Sequence, residues 1–222
     1  MTWTRHAAGE RGAEPHIHRR HTDAFYVLEG EMTVRLGPDL EEVVGSAGTL
    51  VVIPPGVVHG FDNESAGEVR FLNMHAPGGG FVEYLRKQRE GFDSFDPPAD
   101  GGRPATEALV IPPAEGERLE REDRVNTILA ALTELSVFRL EVEPAWPGIG
   151  AHAHDDQVDT FFVLEGETGF IVGDDVVRAG ADSFYVATPG VRHGVRHDRS
   201  ERAVFLNVHG PDAGFAERMR RR

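Results

Sequence analysis

Between Glu14 and Glu31 the sequence reads EPHIHRRHTDAFYVLEGE, which sets histidines at positions 16, 18 and 21 and an acid at Asp23. On an extended strand alternate side chains share a face, so the imidazoles of His16 and His18 point the same way. Two adjacent imidazoles with a carboxylate nearby form an N/O donor set suited to a divalent transition metal: Fe, Mn, Ni, Co, Cu or Zn. The same residues on an exposed edge would be an ordinary polar turn. Taken alone, the stretch does not decide between the two.

A second copy of the pattern does. HIHRRHTDAFYVLEGE returns as HAHDDQVDTFFVLEGE, so that His16 matches His152, His18 matches His154 and Asp23 matches Asp159, 136 positions apart. Downstream, PPGVVHG returns as TPGVRHG and RFLNMHAPGGGF as VFLNVHGPDAGF, now 134 positions apart, pairing His59 with His193 and His75 with His209. The two missing residues fall between LGPDLEEVVGSAG and IVGDDVVRAG, a Gly-rich hairpin where length changes are tolerated. A third histidine after a Pro-Gly turn completes each set: His16, His18, His59 with Asp23, and His152, His154, His193 with Asp159. His21 is matched by Gln157 and reads as a loop residue, while His6 and His197 have no histidine counterpart and read as solvated. Asn73 and His75, like Asn207 and His209, share a strand face and are candidates for a cavity wall; a buried polar pair bonded to backbone fits them equally.

The elements that must position these residues are mostly strands. AFYVLEGEMTVRLG, TLVVIPPG, VRFLNMHAP and their partners are short, rich in β-branched and aromatic residues, and closed by Gly or Pro. Each copy ends in a helical pattern, GFVEYLRKQR at Gly80–Arg89 and GFAERMRRR at the C-terminus, whose arginines complement the helix end. The expected organisation is all-β: an N-terminal barrel over 1–90, a Pro/Gly/Asp-rich linker over 91–106, and a C-terminal barrel over 107–222, each barrel followed by a short helix. The first copy has no counterpart to residues 107–136. That region contains GERLEREDRVNTILAAL, which fits either two strands or one helix, so the first barrel is expected either to lack its first strands or to borrow them from the linker or another subunit.

Composition removes several function classes. With 37 acidic against 23 basic residues and a formal charge of -14, nucleic acid is not an expected partner. There is no cysteine, so neither a thiolate ligand nor a cysteine nucleophile exists. The N-terminus lacks an apolar signal region and no apolar run approaches the roughly 20 residues of a membrane span, so a cytoplasmic protein with no membrane partner is expected.

These motifs resemble the cupin superfamily, and the chain is similar to a two-domain cupin. The first cupin motif is met by His16-Ile-His18, four residues, Asp23, six residues and Gly30, with Asp where the family has Glu. The second is met by Gly48, Pro54, Gly56, His59 and Asn63; in the second copy Gly190 and His193 fit, Thr188 replaces the proline, His197 stands at the Asn position and Gly180 is displaced by two residues. The resemblance implies two double-stranded β-helix (jelly-roll) barrels, each holding a metal. The blocks FYVLEGE and FLNxHxPGGGF are most similar to bacterial quercetin-dioxygenase-like cupins. In the flavonol dioxygenases the glutamate lies at the metal and acts as base. Aspartate is shorter by about 1.5 Å, which sets Asp23 and Asp159 either on the metal or beside it.

The resemblance therefore implies a metal-dependent dioxygenase-type oxidoreductase acting on a small phenolic or enolisable compound, with Asp23 and Asp159 as fourth ligand or base. A metal-dependent isomerase of a sugar or keto acid would need cavity cations, for which the strands offer Arg35, Arg70 and Arg139. A non-catalytic small-molecule-binding or storage-type bicupin is the remaining alternative. A homodimer is expected, because the shortened first copy leaves a sheet edge to cover.

Overall fold

A computed structural model of the chain describes residues 1–144 and 146–221. The chain divides into two compact units, Met1–Glu115 and Gly116–Arg222. The first contains β1 (Thr2–His6), β2 (Arg11–His16), β3 (Thr22–Glu29), β4 (Glu31–Leu36), β5 (Glu41–Ser46), β6 (Leu50–Ile53), β7 (His59–Asp62), β8 (Val69–Ala76), α1 (Phe81–Leu85) and β9 (Leu109–Ile111). The second contains β10 (Glu117–Glu120), β11 (Arg124–Ala131), β12 (Ser136–Val142), β13 (Ile149–His152), β14 (Val158–Glu165), β15 (Glu167–Val172), β16 (Asp175–Gly180), β17 (Phe184–Ala187), β18 (His193–Arg196), β19 (Ala203–Gly210) and α2 (Phe215–Arg221).

Each unit is a jelly-roll-like pair of antiparallel sheets. In the first, β1-β8-β3-β6-β9 faces β2-β7-β4-β5; in the second, β10-β11-β12-β19-β14-β17 faces β13-β18-β15-β16. Phe25, Val27 and Phe71 from one sheet meet Met32, Val34 and Leu36 from the other, and Phe161, Val163 and Phe205 meet Phe170 and Val195 in the same way. Burying side chains of this size stabilises the fold by roughly 1.5–3 kcal/mol each, which is what the β-branched and aromatic strand residues contribute.

The chain passes from one sheet to the other at the repeated Leu-Glu-Gly-Glu. Gly30 and Gly166 link β3 to β4 and β14 to β15 with φ of 78° and 74°. A Cβ there would come within 2.3 Å of the Glu68 carbonyl oxygen or 2.5 Å of that of Arg202, so only glycine fits. Both β3 and β14 carry a register shift just before this crossing, between Val27 and Glu29 and between Val163 and Glu165. The two-residue difference between the copies lies in a hairpin: four residues join β4 to β5, and two join β15 to β16.

One open reading is resolved and two sequence expectations change. GERLEREDRVNTILAAL forms the antiparallel pair β10–β11 instead of a helix, and β11 in turn pairs with β12. The helix predicted to Arg89 stops at Leu85, because Lys87 adopts φ 58°. The Pro/Gly/Asp-rich stretch packs on the first unit. Ile17 and Phe95 exchange backbone hydrogen bonds of 2.9 and 3.0 Å, Arg103 N–H donates to the Gly56 carbonyl at 2.9 Å, and β9 pairs with β6. At the other end of that sheet β1 is an edge strand, whereas its counterpart β12 is covered by β11.

Candidate metal centres

The motif histidines come from two neighbouring strands in register. His16 on β2 is directly opposite His59 on β7, and His152 on β13 opposite His193 on β18, with ring centroids 4.3 and 4.5 Å apart. His18 and His154 lie just past the ends of β2 and β13. Their carbonyls accept the N–H of Gly56 and Gly190, each at 2.7 Å, which ties the Pro-Gly turn to the H-x-H segment. One donor atom from each of His16, His18 and His59 falls within 4.8 Å of the others, as do those of His152, His154, Asp159 and His193.

Backbone carbonyls select the tautomer. Nδ1 of His16, His59, His152 and His193 lies 2.8–3.0 Å from the carbonyl oxygens of Glu14, Val57, Gly150 and Val191, so each Nδ1–H donates and each Nε2 is left to face the centre, that of His193 3.1 Å from Asp159 Oδ2. His18 Nδ1 donates at 2.5 Å to the carbonyl of Asp93. Nε2 of His18 and of His59 is then buried without a hydrogen-bond partner. Converging, unprotonated, unpartnered imidazole nitrogens are the donor set that a divalent transition metal needs.

The carboxylates arrive from the facing sheet. Asp23 on β3 is opposite His75 on β8, and Asp159 on β14 opposite His209 on β19. Asp23 Oδ2 is 3.6 Å from His18 Nε2 and 3.5 Å from His59 Nε2; Asp159 Oδ2 is 3.1 Å from His193 Nε2 and 3.8 Å from His154 Nε2. The other oxygen is held by the Asn-x-His pair. Asn73 Nδ2 donates to Asp23 Oδ1 at 2.5 Å and Asn207 Nδ2 to Asp159 Oδ1, while His75 and His209 each donate Nε2–H at 2.8 Å to the oxygen of the same asparagine. One oxygen is thus committed to the support and the other faces the imidazoles.

Burial pulls both carboxyls up, but the bonds and charges of the surrounding histidines outweigh it, so Asp23 is held well below and Asp159 below the usual range. Burial, helped by neighbouring imidazoles, lowers His16, His75 and His209 to about 4. In His193 the effect of burial is overcome by the bonds to Asp159 and Val191, and its pKa rises.

The two centres differ in their surroundings. Over the first, Phe92 packs near His18, His75 and Phe81, and the Asp93 carboxylate accepts the N–H of Arg19 and Arg20 at 3.2 and 2.8 Å and lies 3.0 Å from His21 Nδ1. The side chain of His18 is 2% exposed and that of His154 15%. Beside the second centre lies a cavity of about 540 Å³ lined by His152, His154, Asp159, Asn207, Leu140, Trp146, Ile149, Phe215, Met219 and three arginines, Arg121, Arg124 and Arg218. A cavity of this size suits a small organic ligand.

Several residues behave differently from their sequence reading. His21 lies outside the strands but is buried, stacks on His18 at 3.9 Å and lies 2.9 Å from His75 through its Nε2. His197 is buried rather than solvated. Its Nε2 is 3.0 Å from the carbonyl of Glu201, four residues on, as Asn63 Nδ2 is 2.8 Å from that of Gly67, so the two residues tie the same corner. Half-buried His6 packs against Phe61 and Phe71. Arg35, Arg70 and Arg139 pair with Asp62, Glu29 and Glu141. The cavity cations come instead from the β10–β11 turn, the start of β11 and helix α2. Asp93 and these arginines have no repeated counterpart to mark them in the sequence.

A duplicated antiparallel jelly roll, with three histidines and a carboxylate converging inside each copy, defines the class. A family profile described as Cupin domain matches residues 3–75 and 138–209, and the chain belongs to that family, in two copies. Solved structures agree in fold. A variant of salicylate 1,2-dioxygenase from Pseudoaminobacter salicylatoxidans superposes with a TM-score of 0.65 at 12% identity, covering 98% of this chain and 73% of that one. Bacillus subtilis oxalate decarboxylase, a protein with Mn(II) centres, gives 0.61 at 15%, covering 95% and 68%. A cupin 2 conserved barrel domain protein from Leptotrichia buccalis gives 0.61 at 13%, covering 94% and 81%. No curated protein matches the sequence. Among the described residues no helix is long and apolar enough to cross a membrane.

Proposed function

We propose that the chain is a metal-dependent oxidoreductase of the dioxygenase type, acting on a small phenolic or enolisable compound at its second centre. The observation that carries this reading is one cavity of about 540 Å³ lined by His152, His154 and Asp159 together with apolar side chains. The fold neighbours include a dioxygenase and a decarboxylase of small molecules, which supports the same class of chemistry.

His152, His154 and His193 would hold the ion through Nε2, and His16, His18 and His59 would hold a second. A bound transition metal supplies Lewis acidity toward a substrate oxygen and redox contact with dioxygen. Asp159, kept ionised by its histidine and asparagine partners, presents Oδ2 to accept the proton of a substrate hydroxyl or enol, or to complete the ligand set. Asn207 and His209 fix which oxygen does this. Leu140, Trp146 and Phe215 give the cavity apolar walls. Asp23, beneath Phe92 and Asp93, serves a centre whose role in this reading is structural.

The test is oxygen consumption with a flavonol and a β-diketone after reconstitution with Fe, Mn, Ni or Co. Absence of uptake with all four metals refutes the reading. The cavity arginines favour one second reading, a metal-dependent isomerase of a keto acid, and turnover under anaerobic conditions separates the two. We also propose a homodimer formed across the β1 edge, where Trp3 is 41% exposed; light scattering that returns a monomer mass rules it out.

A further inference from the structure

We infer that the second centre takes an organic carboxylate, whose anionic group is held by Arg121 and Arg218 and whose apolar body packs on Trp146, Ile149 and Met219. The inference rests on the second centre being the reacting one.

The charge distribution is the starting point. The chain has a formal charge of -14, yet the cavity wall carries three arginines, and its one carboxylate, Asp159, is already bonded to Asn207 and His193. With acids in such excess, most of the other described arginines in the same unit take carboxylate partners, among them Arg139 with Glu141, Arg178 with Asp198 and Arg220 with Glu117. Arg124 is likewise paired, with Asp123 at 2.7 Å. Arg121 and Arg218 are not. Arg121 donates to the carbonyl of Glu120 at 2.8 Å, Arg218 lies 5.6 Å over the ring of Phe215, and among the described residues neither has a carboxylate partner.

Two guanidinium groups left without internal anions on one cavity wall attract an anion from solution, and their planar donor forks match a carboxylate. Potential focused in a cleft acts even when the whole molecule has the opposite sign. The remaining wall sets the rest of the ligand. Trp146, which is 3% exposed, with Ile149 and Met219, offers an apolar surface that an inorganic anion would leave uncovered.

Trp146 also supplies the measurement. The chain has two tryptophans, and in Trp3→Phe the emission reports on the cavity alone. That protein, metal-free and Mn-loaded, is titrated with benzoate, hexanoate and benzamide. The expected result is a saturable change with the carboxylates, weakened at least tenfold in the Arg121→Gln/Arg218→Gln double variant, weakened by added salt and unchanged in Arg220→Gln. Benzamide should bind at least tenfold more weakly than benzoate. Equal binding of benzamide, undiminished carboxylate binding in the double variant, no saturable response to either carboxylate, or displacement of benzoate by equimolar inorganic phosphate overturns the inference. The titration needs no turnover. Failure of oxygen uptake leaves it standing, and its own failure leaves the dioxygenase reading to its own assay.

Discussion

His18 Nδ1 donates a hydrogen bond of 2.5 Å to the carbonyl of Asp93, a residue 75 positions further along the chain. The side chain of Asp93 simultaneously accepts two backbone N–H groups and lies 3.0 Å from His21. The segment after α1 therefore sets the orientation of a first-centre histidine and covers it.

Removing that carboxylate should loosen the cover. Asp93→Ala strands the N–H groups of Arg19 and Arg20 and is expected to cost about 1–3 kcal/mol. Metal should then leave the first centre at least tenfold faster. Release to a chelator, followed by elemental analysis, measures this, and an unchanged rate means the segment does not control access.

Metal content should divide between the copies. The native protein is expected to hold two ions per chain, with His59→Ala and His193→Ala each reducing the number to one. Loss of both ions in either variant would show that the centres are not independent.

The two aspartates should differ in activity although their contacts are alike. Asp159→Asn is expected to lower turnover at least a hundredfold, as removal of a general base does, while Asp23→Asn lowers it less than about threefold. Equal losses would place catalysis at both centres.

Asn207 is predicted to act through Asp159. Asn207→Ala leaves Oδ1 of a buried carboxylate without its donor and should destabilise the protein by about 1–3 kcal/mol. Asn207→Asp, which sets a second acid beside the first, should be worse at neutral pH and partly recover in acid. Thermal unfolding of both variants between pH 5 and about 8 checks this.

Stability of the metal-free protein should fall with acid. Burial lowers His16, His75 and His209 to about 4 in the folded chain, from the ordinary imidazole value of 6.5. The unfolded chain therefore binds more protons than the folded one across that interval, so stability is complete above pH 6.5 and is lost as pH falls toward 4. A displacement of this size corresponds to roughly 3 kcal/mol per group. His193, with its raised pKa, works in the opposite direction, its contribution fading as pH rises through its folded value. In His209→Gln the acid-side slope of the melting temperature should be shallower, and an identical slope would remove His209 from the set.

What could be read in the sequence was whatever the two copies repeat. His16, His18, His59 and their partners stand out because a chance histidine is not duplicated in register, and the strands stand out because β-branched and aromatic residues alternate with Gly and Pro stops. Contacts made by one copy alone stayed hidden. Asp93 reaches His18 through a backbone carbonyl, which any residue type provides. Arg121 and Arg218 are surface arginines by type, and only the fold carries the β10–β11 turn and α2 to one cavity. His197 does the work of Asn63 with a different side chain, so comparing the copies by residue identity could not reveal it.

The direct opposition of His16 to His59, and of His152 to His193, has a consequence for synthesis and refolding. A one-residue slip of β2 against β7, or of β13 against β18, would turn the imidazoles to the outer face of the sheet while leaving much of the backbone pairing intact. An ion that demands three convergent nitrogens binds the correct pairing and rejects the slipped one. Metal uptake would then proofread strand alignment, and a chain refolded without metal should contain mispaired molecules that ions added later fail to load.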